Sequence, residues 1–72
     1  MPKYEITRMT APADVGRLQA ATVMASNALE AALGVAQQAG DSNRLRLVAT
    51  EPPMYRGRTA TGVPVVYEVL ER

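Results

Sequence analysis

Residues 17–40, RLQAATVMASNALEAALGVAQQAG, decide the fold, because their first half reads in two ways. At period two, Leu18, Ala20, Thr22 and Met24 share one face, and the Thr22-Val23 pair favours a strand. At helical period, Val15, Leu18, Thr22, Ala25, Leu29, Ala32 and Ala36 form one stripe, and a single helix would run from about Asp14 to Gln38. Two features separate the readings. Asn27, with Glu30 three residues on, is the signature of a capping box, and it starts a helix inside the run. A helix over residues 14–38 would also be ~37 Å long, in a chain whose radius of gyration should be ~11 Å. Strand followed by helix is the preferred reading, and the long helix is its alternative.

From Asn27 onward the helix reads well over residues 25–40. Ala28, Leu29, Ala32, Leu33, Ala36 and Ala39 recur at helical spacing and are expected to make the buried stripe. Glu30, Gln37 and Gln38 lie to the other side, and Gly40 stops the helix.

Strand patterns flank this run. Residues 3–9, KYEITRM, alternate with Tyr4 and Ile6 on one face. Residues 10–16 carry Pro12, Asp14 and Gly16, a turn composition, and residues 41–43 form a polar turn. Residues 44–51, RLRLVATE, alternate Leu45, Leu47 and Ala49 against Arg44 and Arg46, and Pro52-Pro53 ends them. Residues 54–62, MYRGRTATG, have two glycines and no long apolar run, so they read as an excursion or an open hairpin arm. Residues 63–70, VPVVYEVL, are the strongest strand, with Val63, Val65, Tyr67 and Val69 on one face; Pro64 marks an edge or a strand entry. The expectation is one α+β domain over residues 1–72. It is a two-layer sandwich in which one helix covers an antiparallel sheet of three to four strands, in the order β-(β)-α-β-β. The alternative is β-α-β-β with the long helix.

Size and composition narrow the chemistry. Seventy-two residues give a barely sufficient core, and without cysteine no disulfide supplements it. Burial gained in a homodimer is one remedy. The absence of both His and Cys removes imidazole catalysis, thiol nucleophiles and the usual zinc ligands. The carboxylates are scattered, with no calcium-loop spacing and no acid–base pair, so neither a metal nor a cofactor nor enzymatic activity is expected. The glycines of 57–62, GRTATG, are spaced like a phosphate loop, but Val-Pro and a strand follow where Lys-Ser/Thr and a helix should stand. No 18-residue apolar run and no basic–apolar leader pattern occurs, so a cytoplasmic protein without a membrane span is expected.

One feature carries functional content. Arg44, Arg46, Arg56 and Arg58 fall within fifteen residues whose single acidic member is Glu51, and Tyr55 stands beside Arg56. If the two segments pair, these residues gather at one end of the sheet and suit a carboxylate-rich protein surface or phosphate. They are the expected partner-binding residues. The plainer reading is a solvated outer face whose charges discourage edge pairing.

The segment over residues 22–39, with its V-x-A-S-N-x-x-E-A pattern at residues 23–31, resembles small phage and mobile-element accessory proteins. Some of these inhibit host enzymes or defence complexes. The resemblance implies a protein-binding module, an inhibitor that acts by steric occlusion. A nucleic-acid-binding accessory protein using the same arginines and a self-assembling structural subunit are the alternatives.

Overall fold

Alternation along the chain becomes strand, and the capped run becomes helix, in a computed structural model that describes residues 2–10 and 18–72. The elements are β1 (Lys3–Thr10), β2 (Leu18–Met24), α1 (Ala28–Ala39), β3 (Arg46–Thr50), β4 (Pro53–Arg58) and β5 (Pro64–Glu71). All five strands join one antiparallel sheet in the order β2-β1-β5-β4-β3, and α1 packs across one face. This is the expected α+β two-layer architecture. The segment over residues 18–24 is strand, which excludes the single long helix. The molecule, with a longest extent of 32 Å and a radius of gyration of 11.1 Å, would not contain such a helix. The turn read over residues 10–16 lies, from residue 11 on, outside the described residues.

Among the described residues the sheet has five strands, one more than the upper bound read from the pattern. The additional strand is β4, PMYRGR, which shows no apolar run because its inward positions are only Tyr55 and Gly57. Pro64 enters β5, a central strand; the edge reading does not hold. Glu51 and Pro52, joined by a cis peptide bond, turn β3 into β4.

The helix begins and ends as its sequence specifies. The Asn27 side chain accepts a hydrogen bond from the Glu30 N–H at 2.9 Å, relieving one of the unpaired donors of the first turn. At the other end Gly40 sits at φ 78°, where a Cβ would be strained. The Gly40 N–H donates to Gln37 C=O, and the Asp41 N–H to Ala36 C=O at 2.8 Å, a Schellman motif.

The buried face of α1 differs from the expected stripe. Ala31, Ala32, Val35 and Ala36 are buried, whereas Leu29 is 42% exposed and Ala39 lies at the surface. The expected and observed stripes share Ala32 and Ala36, with Ala28 partly buried beside them. The sheet already supplies Tyr4, Ile6, Val65, Tyr67 and Val69 to the core, and the helix meets those large side chains with small ones.

Candidate functional site: an arginine-lined groove

The site is built from the residue where α1 stops. The Schellman turn delivers Asp41 against the inner face of the sheet, where its side chain is only 1% exposed. A carboxylate so placed must be paired, and two strands supply the partners. Arg8 of β1 donates from Nε to Asp41 Oδ2 and from Nη2 to Oδ1, each at 2.8 Å, a bidentate fork. The hydroxyl of Tyr67, on β5 and directly opposite Arg8, donates to Asp41 Oδ2. The Arg8 hydrogen bonds hold the Asp41 carboxyl below its ordinary range, with the one from Tyr67 adding to them against the effect of burial. Burial, then the bond to the carboxylate, pushes the Tyr67 hydroxyl well up. With the Asp41 side chain 1% exposed and the Arg8 side chain 13% exposed, the triad ties β1, β5 and the turn after α1 together.

This anchor sets the course of the next residues. The Ser42 N–H donates to Arg58 C=O at 2.8 Å, and four residues later Arg46 stands opposite Arg56. Four steps of chain therefore face two on β4, and the intervening segment loops out. Leu45 turns inward from that loop onto Gly57, where an added Cβ would stand 2.7 Å from Leu45 Cδ2. A side chain at position 57 would therefore displace the end of the Leu45 side chain. Between the loop and β4 lies an open groove of about 400 Å³, lined by Ser42, Arg44, Arg46, Arg56, Gly57 and Arg58.

All four arginines read from the sequence meet at this groove, and all four are exposed. Arg44 arrives from the loop and not from a strand, its N–H donating to Ser42 Oγ at 3.2 Å. Arg58 donates from Nη1 to Gly62 C=O at 3.0 Å. Among the described residues, no carboxylate lies within ion-pair distance of any of the four. Arg46 and Arg56 are register partners, so like charges face each other directly across the ladder, a destabilising arrangement in the free protein.

Tyr55 does not join them. It is opposite Tyr67 on the inner face and packs against the core, because adjacent residues of a strand point to opposite sides. With Tyr4 and Tyr67 also buried, every aromatic side chain lies on the helix side. The face shared by the register partners Arg46, Arg56, Val66 and Met9 carries none.

Sequence reasoning missed the anchor. Asp41 read as one residue of a polar turn, and nothing local ties it to Arg8 and Tyr67, which lie 33 and 26 residues away. Their only signal was two polar positions, Arg8 and the Tyr67 hydroxyl, on strand faces otherwise directed to the core. Among the described residues no three acidic groups gather as a metal site, and no helix is long and apolar enough to cross a membrane. Comparison of the chain with protein-family models, with curated proteins and with solved structures returns no match in any of the three.

Proposed function

We propose that this chain is a non-enzymatic binding module that docks the arginine groove onto a carboxylate-rich surface of another protein and acts by covering that surface. The observation that carries the reading is the concentration of four exposed guanidinium groups around one groove, two of them opposed, in a chain whose net charge is only +1. Such an arrangement is unfavourable until an anion enters it, and guanidinium forks match carboxylates in geometry. The absence of aromatic side chains on this face favours protein over single-stranded nucleic acid, whose binding sites stack bases on aromatic rings. Inhibition of a host protein by occlusion is the mode of action that fits a module whose candidate site is an exposed binding groove.

The test is paired charge removal. Arg44→Ala with Arg46→Ala, and separately Arg56→Ala with Arg58→Ala, should fold normally and lose binding to the protein partner captured from the source cell and then purified. Each binding constant should also fall only modestly with added salt, whereas phosphate contacts give a log–log slope of about −0.9 per phosphate neutralised on duplex DNA. Full binding by both double variants would refute the groove as the site, and a steep salt slope with nucleic acid would replace the partner class.

A further inference from the structure

The sheet has two edges, and the chain treats them differently. The β3 edge is five residues long, opens on Arg46, carries a bulge between Leu47 and Ala49, and ends one residue before Glu51-Pro52. Bulges, charge, proline and shortness are the devices that keep an edge from pairing. Within its own seven residues the β2 edge has none of them, the nearest charge being Arg17 just before it in sequence. Its seven residues, LQAATVM, pair with β1 in unbroken register from Met24 opposite Lys3 to Leu18 opposite Met9, without charge, proline or glycine. Ala20 and Thr22 are exposed, and Met24 is 65% exposed. On its outer side, among the described residues, β2 has no neighbouring strand.

We infer that β2 pairs antiparallel with β2 of a second copy of this chain, joining two sheets of five into one of ten. A second copy is the occupant the observations favour. A strand without charge meets itself without like-charge repulsion, and a 72-residue domain gains burial that its own small core does not supply. Antiparallel edge pairing places the two-fold axis perpendicular to the sheet, so both helices lie on one side and both arginine faces on the other. The two grooves, each between β3 and β4, are then eight strand spacings apart, on the order of 40 Å. The dimer is a bivalent platform, which raises avidity for any partner that presents its acidic surface twice. The pairing itself does not depend on what the groove binds.

Sedimentation velocity over a wide concentration range tests it on three proteins: the native chain, Ala20→Lys with Thr22→Lys, and Leu47→Lys on the other edge. The native chain and Leu47→Lys should dimerise equally, while the β2 double variant should dissociate at least roughly tenfold more readily, ~1.4 kcal/mol from opposed lysines. A native chain that stays monomeric, or a dimer indifferent to the β2 lysines or broken by Leu47→Lys, overturns the inference. Amide hydrogen exchange on the native chain decides the matter even if the double variant fails to fold. Alternate β2 amides not bonded to β1 should become protected as concentration rises, and concentration-independent exchange at those amides rejects the pairing.

Discussion

Arg46 opposite Arg56 has a cost that separates stability from binding. Placing a carboxylate there, Arg46→Glu, should stabilise the isolated chain by about 0.2–1 kcal/mol in urea denaturation and weaken the binding of an acidic partner. If the variant is less stable, the two guanidiniums do not repel as the register implies. Asp41 is the opposite case, a buried charge that is fully partnered. Asp41→Ala leaves Arg8 without its bidentate acceptor and should cost about 3 kcal/mol. The pH dependence follows from the same bonds. Asp41 has a folded pKa below its ordinary 3.8, so its contribution is complete above that value and is lost as pH falls through the lower folded one. Tyr67 has a folded pKa above its ordinary 10.0, so its contribution is complete below that value and is lost as pH rises towards the folded one. Thermal melts should therefore show a plateau that falls at both ends, and Asp41→Asn should remove most of the acid-side slope. Tyr55 shows what a residue list leaves out. It stands next to Arg56 in sequence, and for that reason it faces the other way in a strand; the alternation that puts Arg56 and Arg58 on one face also separates this pair.

At the scale of the element, caps and strand periods were legible because both are local. Asn27, Glu30 and Gly40 each act within one turn of the helix, and Asn27→Ala should cost about 1 kcal/mol. The buried face of α1 was not legible, since a run rich in alanine satisfies two overlapping stripes and the sheet alone decides between them. Leu29→Ala should therefore change stability by no more than about 0.5 kcal/mol, while Val35→Ala should cost roughly 2 kcal/mol. Chemical denaturation of the two variants reads this directly, and the reverse order would restore Leu29 to the core. The strand β4 was hidden for a related reason. One of its inward residues is Gly57, against which Leu45 packs, so the strand lacks the apolar pattern by which strands are recognised.

Across the whole molecule, topology creates what no segment contains. The Arg8–Asp41–Tyr67 anchor joins two adjacent strands to the turn after the helix, and that turn starts the loop that brings Arg44 beside Arg58. The arginine cluster was legible as a count of charges and a pair of alternations; the groove was not, because it depends on Ser42 meeting Arg58. The central claim is that the four arginines act as one anion-binding site. Nitrogen-detected NMR of the arginine Nε groups, during titration with a glutamate-rich peptide, tests it most directly. Arg44, Arg46, Arg56 and Arg58 should shift together along one binding isotherm, while Arg8, held by Asp41, and Arg72, held by Glu5 at 2.7 Å, should stay in place. Four unrelated isotherms, or shifts no larger in the groove than at Arg72, would contradict it.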